Sequence, residues 1–195
     1  MDIKILCALL ATSLTVISYF PYIRDIFKRQ TRPHVYTWLI WLITQGTATA
    51  ALLYGGGGWG SASLIIGTAL VFLLFLLSLK FGTKNITKSD MIVLTLALLA
   101  IIVWWLLDKP LLAVLMASAI DGLGYIPTYR KSWHDPRSET VLFWVGMVAA
   151  GLLSIVSLSE YNLLTTTYLV TLVVANIILV VLLVLRRKKF LNVKG

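Results

Sequence analysis

One cysteine, two histidines and eight acidic residues in 195 positions leave this sequence short of most of what builds a catalytic or metal centre. Cys7 has no partner for an intramolecular disulfide, and His34 and His134 fall in separate loops with no metal-ligand spacing. No cofactor is expected. Charged residues make up only 13% of the chain against 59% hydrophobic, and the mean hydropathy of +0.90 excludes an ordinary soluble domain. The scarcity of acids beside 17 Lys and Arg gives a net charge of +9, a balance that can signal nucleic acid. Here the basic residues sit in short gaps between apolar runs, where they meet water and lipid headgroups. The expected partner is therefore the bilayer, and no nucleic acid.

What the sequence has in abundance is apolar runs of about the 20 residues that a spanning helix needs. Seven are predicted: 3–26, 35–54, 61–79, 91–107, 111–129, 140–158 and 163–185. The first is not read as a signal peptide, because a similar segment recurs at the fifth run and a basic loop follows where a cleavage site would stand. Connectors are short. Gly55 to Gly58 supplies a flexible turn, and Asp108-Lys109-Pro110 places proline in the first turn of the fifth helix. Of the Lys and Arg residues, all but Lys4 and Lys109 fall at the ends of the odd-numbered runs, on one side of the bundle. The positive-inside rule then predicts an outside N-terminus and a cytoplasmic tail at Arg186-Arg187-Lys188-Lys189.

The chain is also duplicated. Shifting it by 106 residues puts Tyr19 on Tyr125, Pro21 on Pro127, Arg24 on Arg130 and Trp38 on Trp144, with weaker matches from about residue 5 to about residue 81. The fourth run has no counterpart and reads as a linker. A directly copied unit of three helices would reverse direction, and one extra crossing restores it. The expected architecture is all-α with seven transmembrane helices in two parallel three-helix repeats, 3+1+3, divided as 1–82, 83–109 and 110–195.

This plan, with a proline near the cytoplasmic end of the first helix of each triplet, resembles the SWEET and PQ-loop transporter superfamily. The residues that carry the resemblance are Tyr-Phe-Pro-Tyr-Ile-Arg (19–24) with Lys-Arg-Gln-Thr-Arg-Pro-His (28–34), and Tyr-Ile-Pro-Thr-Tyr-Arg-Lys-Ser-Trp (125–133). They look like a bacterial branch, which implies a plasma-membrane carrier for a sugar-like solute or another small metabolite. The sequence departs from the family where Tyr22 and Thr128, not Gln, follow the prolines. It also has Trp38 and Trp144 where SWEET proteins complete a proline tetrad. The family's substrate-contacting asparagine in the third helix corresponds to Asn176, with Leu70 at the equivalent place in the first repeat and Thr68 nearby.

Candidate functional residues follow from polarity in apolar surroundings. Asp121 lies deep in the fifth run, where an ionised carboxylate costs ~2.5–3.5 kcal/mol on insertion scales. It must face the bundle interior or water, or be protonated, and is either a proton or cation site or a packing hydrogen bond; its repeat mate is Thr15. Asn176 seeks a partner in an aliphatic helix, either a solute or a neighbouring helix. Thr15, Thr49, Thr68 and Ser154 are further solute-binding candidates, and Thr44, Gln45 and Thr47 add polar groups to the second helix. Pro21 and Pro127 remove a helix donor and could form hinges or static kinks. Arg24 and Arg130 would close an inner gate with Asp25 or Asp135, attract an anionic substrate, or snorkel to headgroups. Trp38 and Trp144, with Tyr19 and Tyr125 one helix away, belong to an interfacial belt or to a gate. Two functions are open on these residues: an alternating-access transporter, facilitated or proton-coupled, and a receptor of the PQ-loop-like class such as the KDEL retrieval receptor, which binds without conducting. An enzyme is not expected, because the runs supply no paired carboxylates and no nucleophile with a base.

Overall fold

A computed structural model describes residues 2–31, 33–82, 88–137 and 139–192; within these, the side chains at 89, 90, 100, 104, 127, 130, 131 and 189–192 are not described. The described residues form seven α-helices and no β-strand: α1 (Ile3–Phe27), α2 (Val35–Tyr54), α3 (Ala62–Phe81), α4 (Lys88–Leu107), α5 (Pro110–His134), α6 (Val141–Val156) and α7 (Leu163–Asn192), with a 3-10 turn at Gly58–Ser61 before α3. Three helical stretches, Ile3–Phe27, Gly58–Phe81 and Leu163–Lys188, are long and apolar enough to cross a membrane. In α2 the run is interrupted by Thr44, Gln45, Thr47 and Thr49, all buried, so its polarity is turned toward its neighbours and away from the surroundings.

Helix ends follow local chemistry. Asp2 caps α1 by accepting from Lys4 N (3.0 Å), and Asn162 Oδ1 accepts from Leu164 N and Thr165 N at the start of α7 (2.9 and 3.1 Å). Gly56 and Gly58 adopt φ of 80° and 56° in the turn after α2, a conformation that costs glycine little. Pro21 lies within α1. Basic residues at the end of α7 hold the α5–α6 loop: Arg187 donates to the carbonyls of Pro136 and Glu139 (2.9 and 2.7 Å). Arg186 donates to the Trp133 carbonyl (2.8 Å) and stacks on the Trp133 ring. These two arginines thus grip a loop of their own chain.

Each triplet is wound the same way. In the first, α3 packs against both α1 and α2; in the second, α7 packs against both α5 and α6. The spatial orders are therefore 1-3-2 and 5-7-6. The triplets meet along two seams, α1 on α6 and α2 on α5, which the repeat interchanges. Helix α4 lies outside this arrangement and packs on α2 and α5. Outward-facing positions are strongly apolar, among them Ile17, Phe20, Leu142 and Leu185, whereas Thr44, Asp121 and Asn176 are enclosed. That is the reverse of a bundle built for water.

Both seams need small residues. A Cβ at Gly146 would collide with the hydroxyl of Ser18 across α1 and α6, and a Cβ at Gly124 would lie 2.9 Å from Trp41 Nε1 across α5 and α2. Gly146→Ala is expected to destabilise the bundle by about 1–3 kcal/mol through overpacking. Adding Ser18→Gly should recover a large part of the loss, since it removes the obstructing atoms. Thermal unfolding in detergent of the single and double variants measures this; additive losses would deny the contact.

Candidate functional site

The seam between the triplets contains two small chambers, one above the other, that share Gln45, Met147, Leu172 and Asn176. One lies toward the end of the bundle that carries the α1–α2 and α5–α6 loops, here called the basic end. It is lined by Tyr19, Trp38, Trp41, Asp121, Tyr125, Phe143 and Trp144. The other lies toward the N-terminal end and is lined by Thr15, Ser63, Gly67, Ala150, Gly151 and Ser154. Each cavity is about 30 Å³, room for roughly two waters and too little for an organic solute.

Asp121 is the polar centre of the first chamber. Thr44 Oγ1 and Tyr168 Oη both donate to its Oδ1, at 2.6 and 3.0 Å. The three residues come from α2, α7 and α5, so one carboxylate oxygen ties both triplets together. Oδ2 receives no hydrogen bond from the described residues. Asn176 Oδ1 accepts from Tyr125 Oη (3.0 Å), and Tyr129 Oη donates to the Ala175 carbonyl (2.8 Å). Trp41 Nε1 is enclosed with no acceptor among the described residues.

The basic end is closed by rings. Trp41, Trp38, Tyr22, Phe143, Trp144 and Tyr125 contact one another in a closed circuit with centroid separations of 4.8–5.9 Å, drawn from α1, α2, α5 and α6. Tyr19 joins at Phe143 (5.2 Å). Most pairs meet at steep interplanar angles, the edge-to-face geometry that the ring quadrupole favours. Nearer the loops, Thr140 Oγ1 donates to Asp25 Oδ2 (2.8 Å), bridging α1 to the start of α6, while Arg24 pairs with Asp25 Oδ1 (3.1 Å). Trp144 Nε1 donates to Glu139 Oε2 (3.1 Å). At the opposite end the hydroxyls of Ser63 and Ser154 bond across α3 and α6. Asn162 Nδ2 donates to the Gly55 carbonyl (2.9 Å), and Ser159 N to that of Gly57 (3.2 Å). Both ends are thus shut.

The residues singled out in the sequence distribute as follows. Asp121, Asn176, Tyr19, Tyr125, Trp38 and Trp144 come together on the first chamber, and Thr15 and Ser154 on the second. Trp38 and Trp144 are each 3% exposed, so they do not form an interfacial belt. Thr49 and Thr68 line neither chamber: their hydroxyls bond each other (2.9 Å) between α2 and α3, inside one triplet. Arg24 is half exposed, with its guanidinium on the neighbouring Asp25. Pro21 lies in α1 one turn before Arg24. The side chains of Pro127 and Arg130 lie outside the described set. Tyr22, Ser63, Phe143 and Tyr168 were not singled out. The signal for Tyr168 was available, since Thr165, Tyr168, Leu172 and Asn176 follow an i, i+3, i+7, i+11 stripe down one face of α7.

The chain matches no protein-family model, no curated protein and no solved structure.

If Tyr168 stabilises the bundle through Asp121, Tyr168→Phe should cost about 0.5–1.5 kcal/mol, the range of interhelical hydrogen bonds in apolar surroundings. The same substitution in an Asp121→Ala background should cost distinctly less. A double-mutant cycle by unfolding in mixed micelles reads the coupling; equal losses in both backgrounds would separate the two residues.

Proposed function

We propose that this chain is an integral membrane protein with seven spans that carries a small polar solute by alternating access between its two triplets. The observation that supports this most is the placement of polar groups. In a bundle with an apolar exterior, Asp121, Asn176, Gln45, Thr15, Ser63 and Ser154 gather on the seam between the repeats. They lie between a closed aromatic circuit at one end and hydroxyl and loop contacts at the other. A pathway that is polar at its middle and closed at both ends is what an occluded carrier requires. In this reading the N-terminus lies outside and the basic end in the cytoplasm, in a bacterial plasma membrane as the resemblance to SWEET and PQ-loop proteins suggests.

Opening separates the triplets at one end at a time. At the cytoplasmic end the Tyr22–Phe143 and Tyr19–Phe143 contacts and the Thr140–Asp25 hydrogen bond must part. Pro21 supports bending there, because α1 lacks one backbone donor immediately beside the ring circuit. The inner chamber then widens enough for a solute to reach Asp121 and Asn176.

Cross-linking tests the cycle. With Cys7→Ala as background, Asp25→Cys plus Thr140→Cys should form a disulfide under oxidation. Uptake into proteoliposomes of a solute identified by screening sugars, amino acids, nucleosides and vitamins should then fall at least tenfold, and reduction should restore it. Saturable binding with no flux for any solute would instead assign the chain to ligand sensing. The same vesicles decide the coupling mode. An inward proton gradient that accelerates uptake by the native chain and not by Asp121→Asn makes that carboxylate the coupling group, and a flat response in both makes the protein a facilitator.

A further inference from the structure

The walls of the chambers carry formal charge of one sign. Asp121 contributes a carboxylate, and among the described residues no Lys, Arg or His side chain lines either cavity. Asp121 is 2% exposed, and the ion pair found among the described residues, Arg24 with Asp25, belongs to the basic end of the bundle. A charge held in a low-dielectric interior is ordinarily matched by a counter-charge. Here the protein offers Oδ1 two hydroxyls and leaves Oδ2 without a donor. Six aromatic rings also line the same chamber, those of Tyr19, Trp38, Trp41, Tyr125, Phe143 and Trp144. Ring faces attract cations, and alkylated ammonium groups most usefully, because these have little hydration to lose and cannot be satisfied by hydrogen bonds alone.

A neutral polyol would use this chamber poorly. Its hydroxyls could meet the amides of Gln45 and Asn176, the hydroxyls of Tyr19 and Tyr125 and the unpartnered Trp41 Nε1, but they bring no positive charge to Asp121. An anion would face Asp121 with no compensating positive group among the described side chains of the lining. We propose, on the basis of the transporter reading above, that the solute is a small organic monocation with an alkylated ammonium head, held between Asp121 and the aromatic rings when the triplets part. Asn176 and Gln45 then select its polar tail.

The experiment uses choline and its neutral carbon isostere, 3,3-dimethylbutan-1-ol, which share shape and hydroxyl and differ in charge. Binding to the full-length protein in detergent is read by quenching of the intrinsic tryptophan fluorescence, which Trp38, Trp41 and Trp144 on the chamber wall should report. Choline should saturate at a concentration at least tenfold below that of the isostere. In Asp121→Asn the preference should shrink severalfold, while Thr95→Val on α4, remote from both chambers, should leave it unchanged. Equal binding of the two probes, or no saturable binding of choline, would overturn the proposal on the native chain without reliance on any variant. The transporter reading is judged separately by flux. Hexose uptake with no choline binding refutes the cation and keeps the carrier, whereas selective choline binding with no flux keeps the cation and refutes the carrier.

Discussion

A polar side chain enclosed in an apolar bundle must be satisfied by another part of the same chain, and that requirement organises this structure. Many of the hydroxyls solve it locally by donating to a carbonyl one turn back, as Thr15, Ser118 and Thr171 do. A carboxylate or an amide cannot be satisfied within its own helix so easily. Asp121 draws on α2 and α7, and Asn176 draws on α5. Of these two residues it is Asp121, through Thr44, that holds the triplets in register, whereas Asn176 and Tyr125 belong to one triplet. On the proposed transport role, binding a solute and closing the bundle would be competing ways of meeting one demand, which is a physical basis for coupling occupancy to shape.

The duplication gives the scaffold, and the hardest enclosed polar residues to satisfy lie where its copies disagree. Across the repeat Asp121 stands opposite Thr15, Asn176 opposite Leu70, Tyr22 opposite Thr128 and Trp41 opposite Met147. The shared residues, Tyr19 with Tyr125 and Trp38 with Trp144, build the closure at the basic end. The ring circuit thus joins these shared residues to Tyr22, Trp41 and Phe143, whose counterparts Thr128, Met147 and Thr37 are not aromatic. A carboxylate on both sides of the seam would have placed two like charges in one small cavity, at a cost that a single copy avoids.

Much of the secondary structure was legible in the sequence because a helix in apolar surroundings announces itself by length. The run 35–54 coincides with α2, and the others differ at their ends, most at α5 and α7, which continue to His134 and Asn192 with polar residues that a hydropathy reading excludes. The packing order 1-3-2 was not legible, since nothing local says that α3 lies between α1 and α2. The site was legible in part. Asp121 and Asn176 stand out as polar residues in aliphatic runs. Tyr22, Phe143 and Tyr168 do not, because an aromatic residue near the end of an apolar run reads equally well as belt, core or gate. Position along a helix gives depth, and only tertiary contacts give azimuth; for that reason Trp38 and Trp144 were placed at the right height without being assigned to the interior. Thr49 and Thr68 illustrate the converse, as polar residues at a suitable depth that turn toward each other within one triplet.

Helix α4 breaks the equivalence of the two seams that the duplication creates. The two seams are equivalent by repeat, yet α4 braces α2 and α5 and nothing comparable braces α1 and α6. If the triplets part as proposed, the braced seam would act as the spine of a book and the other as its fore-edge, and the parting would be a swing about α2, α4 and α5. The bridge between Asp25 and Thr140 joins the two helices of the fore-edge, where a weak contact would have leverage over whether the pages stay shut.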